Sequence, residues 1–136
     1  MSDLEDIARE MGAGEAWEEA NGSPWLRPEG LDVRRMAQVM LAHDARFVTI
    51  TARAESEDEP AAMRLSYHWD LEGRLLTIET RIAEGGMASI RETCPAADWI
   101  EREIHDCFAV EFQGARPEPL LLRPGQSPGV FRGEDE

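Results

Sequence analysis

Between residues 33 and 44, Val33, Met36, Ala37, Met40 and Leu41 recur at i, i+3, i+4, i+7 and i+8, the spacing that gathers side chains on one side of a helix. The rhythm then shortens to a period of two. Over 46–54, Val48, Ile50 and Ala52 alternate with Phe47, Thr49 and Thr51, as along a strand. Two further strands are predicted, one over 63–70 with Leu65, Tyr67 and Trp69 on one face and one over 74–82, joined as a hairpin through Leu71-Glu72-Gly73. Leu4, Ile7, Ala8 and Met11 have helical spacing behind Ser2-Asp3, which can cap a short helix that Gly12-Ala13-Gly14 ends. The clearest helix follows Pro95: Asp98 and Glu101 have capping-box spacing, and Ile100, Ile104, Cys107 and Phe108 line one face. A small meander is stable only when helices cover one of its faces. The pattern therefore predicts an α+β fold, an antiparallel three- to four-stranded sheet covered on one face by helices, in a single domain.

The ends read differently from the centre. Residues 1–30 are expected to form an acidic helix and arm, 31–114 the α+β domain, and 115–136 an extended tail rich in proline and glycine. Trp17, Pro24, Trp25 and Pro28 make the stretch 15–30 look like a loop with two large anchors, which either fold back on the domain or dock on a partner. Together with Leu120, Leu121 and Leu122 they are the expected exposed apolar patch.

Composition narrows the function. The net charge is −14, and three segments, 1–20, 55–59 and 134–136, hold all but one of those excess negative charges. The body is nearly neutral and has no basic stripe to meet phosphates, which argues against nucleic acid. All fourteen Lys and Arg positions are arginine; this fits bidentate contacts at an interface, but biased codon usage explains the same observation and is the preferred account. No apolar run approaches the roughly 20 residues of a membrane span, and the acidic start is unlike a secretory signal, so a cytoplasmic location is expected. Two cysteines, Cys94 and Cys107, are too few for a disulfide framework or for an iron–sulfur cluster held by this chain alone, which ordinarily needs about four ligands. Gly12-Ala13-Gly14 and Gly85-Gly86 lack the strand-then-helix setting of a phosphate loop.

The most specific signal is the segment 97–114. It resembles the motif of the C-type subunit family of NADH-quinone oxidoreductase (complex I): an aromatic residue, x, Glu-Arg-Glu, an apolar residue, x, Asp, x, an aromatic residue, Gly, an apolar residue, x, Phe, x, Gly. Trp99, Glu101, Arg102, Glu103, Ile104, Asp106, Phe108, Val110, Phe112 and Gly114 match it. The resemblance extends weakly over 31–125. Ala109 stands where the family has Gly, Ala115 where it has His, and the basic His-Pro-Leu-Arg-type tail is missing. These departures favour a shorter relative, such as the corresponding subunit of an energy-converting nickel–iron hydrogenase, over the quinone-reducing enzyme.

The resemblance implies a structural subunit of a redox complex with no catalytic centre and no cofactor of its own. Its partners would be the large subunit, which carries the quinone site or the nickel–iron centre, and the iron–sulfur small subunit. It would lie in the hydrophilic arm on the cytoplasmic side of the inner membrane, peripheral through the complex. The motif residues Trp99, Glu101, Arg102, Glu103, Asp106, Phe108, Phe112 and Gly114 would form the subunit interface.

Read as a helix, the motif allows Arg102 to pair with Asp106 one turn on, and it sets Glu103 between Trp99 and Cys107, at the edge of the apolar face. Glu103 is then the carboxylate expected to be partly buried, with its loss weakening folding or assembly. Two other functions compete. Glu101 and His105, four apart, would serve a metal enzyme if Asp106 or His68 completed the ligand set. An orphan acidic binding module could share the fold without belonging to a complex.

Overall fold

The computed structural model describes residues 4–13, 17–54, 63–82 and 86–114. In chain order it contains α1 (Leu4–Glu10), β1 (Glu18–Ala20), β2 (Ser23–Leu26), α2 (Val33–Ala42), β3 (Arg46–Ala54), β4 (Met63–Leu71), β5 (Arg74–Arg81), β6 (Met87–Ala88), α3 (Ala97–Phe108) and β7 (Phe112–Gln113). Five strands form one sheet in the order β1-β2-β5-β4-β3. β3, β4 and β5 are the antiparallel meander, while β2 joins its far side parallel to β5, with Leu26 beside Ile78. The class is α+β, as the periodicity predicts, and the sheet is wider than the meander alone.

The additional width comes from the stretch expected to be an arm. Asn21 and Gly22 have φ of 54° and 82°, the paired left-handed values of a tight hairpin turn, so β1 folds directly back on β2. Glu72 and Gly73, at 55° and 83°, repeat this turn between β4 and β5, and the Asp70 carboxylate accepts the Gly73 N–H at 2.9 Å. Asp32 caps the start of α2, its side chain accepting the N–H groups of Arg34 and Arg35.

One face of the sheet and all three helices share a single core. Leu26, Ile50, Leu65, Tyr67, Trp69, Leu76 and Ile78 from the strands meet Ile7 and Met11 near α1, Val33, Met36 and Met40 from α2, and Ala97 and Ile104 from α3. One strand phase differs from the simple alternation. The register slips between Phe47 and Thr49, so Phe47 comes opposite Trp69 and stacks edge-on against it at 5.5 Å, while Val48 turns outward and is 42% exposed.

The opposite sheet face buries a charge. Glu79 is buried on β5 and receives Arg53 at 3.1 and 3.2 Å, Arg27 at 3.3 Å and the Ser66 hydroxyl at 3.0 Å. Burial alone would raise its pKa, but the hydrogen bonds from Arg53 and Ser66 and the charges of both arginines outweigh it and hold the carboxyl below its ordinary value. Beside it, the two ring nitrogens of His68 lie 3.1 Å from the Thr51 hydroxyl and 3.0 Å from that of Thr77.

The two tryptophans of the N-terminal stretch turn back onto this domain. The Trp17 indole N–H donates to the Leu4 carbonyl at 2.7 Å, and Trp25 lies edge-on to His68 with the Arg27 guanidinium 4.9 Å from its ring centre. Leu120 to Leu122, the acidic run 55–59 and the whole expected tail lie outside the described residues. Among the described residues, no helix is long and apolar enough to cross a membrane.

Candidate functional site

Helix α3 and the strand β7 that follows it carry the motif. The helix starts at Ala97, not Asp98, and its N-cap position, Ala96, offers no side-chain bond. This places Asp98 inside the first turn, and the expected capping box does not form. Glu101 instead points into the protein and has no exposed surface. Its Oε1 accepts the Ser89 hydroxyl at 2.6 Å and its Oε2 accepts the Ile90 N–H at 2.8 Å, while the Arg91 N–H donates to Ser89 Oγ at 3.1 Å. One carboxylate thus fastens the 89–91 segment to the underside of α3.

That position raises the Glu101 pKa. Burial is the main cause and the nearby Asp98 adds to it; the bonds from Ser89 and Ile90 and the charge of Arg91 act in the opposite direction. Tyr67 is pushed up by burial and further by Glu101, and the Cys94 thiol rises to about 11 for the same two reasons.

The remaining motif positions divide between inside and outside. Arg102 Nη1 lies 3.4 Å from Asp98, one turn earlier, and Arg91 approaches the same carboxylate at 3.8 Å, so the expected Arg102–Asp106 pair gives way to an Asp98-centred one. Asp106 is buried and Phe108 packs half-buried against the core. Glu103, the carboxylate expected at the edge of the core, is exposed, as is Trp99 at 61%. The reason is helix phase. Ala97, Glu101 and Ile104 share the buried face, and Glu103, two residues on from Glu101, lies on the far side of the helix from it and turns to the outside.

The end of the motif is a backbone device. Ala109 terminates α3 in the left-handed conformation, φ 59° and ψ 33°, and its N–H donates to the His105 carbonyl. The chain then returns as β7, which pairs in parallel with β6 and sets Phe112 beside Met87. This pairing brings the Glu111 carbonyl so close to Gly86, which has φ of 106°, that a Cβ there would collide with it. Gly114 has φ of 88°, and its carbonyl accepts Arg91 Nε at 3.1 Å. A Cβ at Gly114 would lie 3.1 Å from Arg34, whose guanidinium donates to the carbonyls of Ser89 and Gln113.

The residues expected of a metal enzyme do not come together. Both Glu101 oxygens already accept bonds from Ser89 and Ile90, and His105 Nδ1 lies 3.0 Å from the Val110 carbonyl. His68 belongs to the Glu79 face of the sheet. Among the described residues, no group of three His, Cys, Asp or Glu side chains could hold a metal ion.

A family model described as "Respiratory-chain NADH dehydrogenase, 30 Kd subunit" matches residues 28–130. The chain belongs to that family. Among solved structures, a chain of the membrane-bound sulfane sulfur reductase, an archaeal respiratory membrane complex, superposes with a TM-score of 0.75 at 22% identity, covering 96% of this chain and 78% of that one. At that identity the likeness concerns the fold. No curated protein sequence matches. Within this NADH dehydrogenase subunit family, the Glu-Arg-Glu motif acquires distinct physical parts in this chain: Glu101 is an internal fastening, Arg102 belongs to an ion pair with Asp98, and Glu103 faces outward. Gly114 was legible in the sequence as a motif position, whereas the steric role of Gly86 and the pairing of Glu101 with Ser89 were not.

Proposed function

We propose that this chain is a structural subunit of the hydrophilic arm of a complex I-like redox complex, packing against a large subunit and an iron–sulfur small subunit and binding no cofactor of its own. The observation that carries the reading is the family match over 28–130, which spans the α2-to-β7 domain and its motif. The chemistry of the chain agrees with a scaffolding role. Its two cysteines are buried and their thiols are raised by burial, the opposite of the lowered pKa that makes a good thiolate ligand. The carboxylate at the centre of α3's buried face, Glu101, takes its hydrogen bonds from within the chain, so it serves the shape of the domain.

The complex is either the quinone-reducing enzyme or a relative. Ala109 and Ala115, in place of the family's Gly and His, favour a shorter relative such as an energy-converting hydrogenase. The fold neighbour from an archaeal sulfane sulfur reductase adds a further respiratory setting in which this fold occurs. In all of these the chain would sit on the cytoplasmic side of the inner membrane, held there by its partners.

The test is purification of the tagged chain from its native membranes, with co-purifying subunits identified by mass spectrometry and the eluate assayed for nickel and iron. A large subunit and an iron–sulfur subunit are expected, and nickel would select the hydrogenase branch. Recovery of the chain alone would refute the proposal.

A further inference from the structure

We propose that the outer stripe of α3, centred on Trp99, is the anchor that inserts into an apolar cleft of the partner subunit edged by lysine or arginine. This rests on the subunit reading above and specifies the chemistry of one contact within it.

Pro95, Ala96, Trp99 and Glu103 are all exposed and follow one another at intervals that bring them onto one outward stripe leading onto and along α3. Trp99, at 61%, is the most exposed of the large hydrophobic residues described. Burying a tryptophan is a characteristic way for an interface to concentrate its binding energy, and leaving one in water gains nothing for the monomer. Pro95 and Ala96 widen the apolar spot without adding polar side chains that would need partners.

The charges around this spot select the kind of partner. The two nearby arginines, Arg91 and Arg102, both turn to Asp98, at 3.8 and 3.4 Å. Glu103 on the stripe and Glu92, three residues before Pro95 in the chain, are exposed, and among the described residues neither forms an ion pair. The stripe therefore presents an apolar centre with an acidic rim. A second copy of this chain would bring the same acidic rim against it, on top of a net charge of −14. A cleft rimmed with basic residues is the complementary surface.

Three full-length tagged chains are compared in the native host: wild type, Trp99→Ala and Glu103→Arg. Partner recovery is measured by quantitative mass spectrometry and the fold by thermal melting of the purified chain. The expected result is a wild-type-like melting curve for both variants, with recovery of the partner reduced roughly tenfold or more by Trp99→Ala and severalfold by Glu103→Arg. Recovery within about twofold of wild type for Trp99→Ala would overturn the proposal, whereas failure of the wild type itself to recover a partner would strike the subunit reading instead. In a fourth chain, Trp99→p-benzoylphenylalanine, photo-crosslinking locates the contact independently of affinity. Crosslinks to a partner peptide containing apolar residues flanked by Lys or Arg support the assignment. Crosslinks to a second copy of this chain, or to an acidic partner surface, refute it.

Discussion

Glu101 occupies the centre of a helix face that otherwise holds Ala97 and Ile104, and its two oxygens meet donors of the 89–91 segment. Replacing it with alanine would leave the Ser89 hydroxyl and the Ile90 N–H buried without acceptors, each costing about 1–3 kcal/mol, so Glu101→Ala should lower unfolding free energy by about 3 kcal/mol or more in a denaturant titration. Glutamine keeps an acceptor and carries no charge. The folded-state pKa of Glu101 lies above its ordinary value of 4.5, so the stability it contributes is fully present below that pH and is lost as pH rises through the folded value. The stability of Glu101→Gln relative to wild type should therefore grow as pH rises from 4.5 through the raised folded value, measured by melting at a series of pH values. A constant difference would mean that ionisation of Glu101 is not linked to folding. Glu79 has the opposite sign: its contribution is present above its ordinary value and is lost as pH falls through its lowered folded pKa.

The same scale shows what the sequence conceals. Spacing correctly identifies the apolar side of α3 at Ile104 and Cys107, but a carboxylate in an apolar slot counts as polar in any hydropathy pattern, and the spacing pointed to Glu103 as the buried acid. The recoverable signal was the interval Ala97, Glu101, Ile104, which has Glu where the helix period calls for an apolar residue. Ala109 was legible as a departure from glycine, and the structure supplies the reason for the family's preference: φ is 59° at that position. Ala109→Gly should stabilise the chain by about 1 kcal/mol through relief of the left-handed strain, checked by the denaturation midpoint.

At the scale of elements, the long strands and helices were legible because each has a sustained rhythm, while the short ones were set by turns. Asn21-Gly22 is a strong hairpin signal, yet Pro24, Pro28 and two tryptophans around it pointed to an arm, and the strands it joins are only three and four residues long. The slip beside Val48 has no signature in an alternating sequence; it follows from seating Phe47 against Trp69. The β6–β7 pair depends on a single absent side chain. Gly86→Ala would force a Cβ into the Glu111 carbonyl at a left-handed φ, and a loss of about 2–4 kcal/mol is expected. Hydrogen exchange should show the loss concentrated at Met87 and Ser89, whose N–H groups donate to the Glu111 and Gln113 carbonyls. Unchanged protection of those two amides in the variant would mean that the pair does not depend on Gly86.

For the whole molecule, the net charge of −14 is concentrated in three segments while the rest of the chain is nearly neutral. The body folds around one core and exposes a tryptophan on its motif helix, while most of the excess negative charge lies in 1–20, 55–59 and 134–136. The chain belongs to the NADH dehydrogenase 30 Kd subunit family, and the structural role proposed for it is tested by what it assembles with. The most direct test of that role is native separation of solubilised membranes, with the migration of every chain profiled by mass spectrometry. This chain is predicted to migrate far above its own mass, in one peak with a large subunit and an iron–sulfur subunit. Migration as a free single chain, with those subunits together elsewhere, would contradict the assignment.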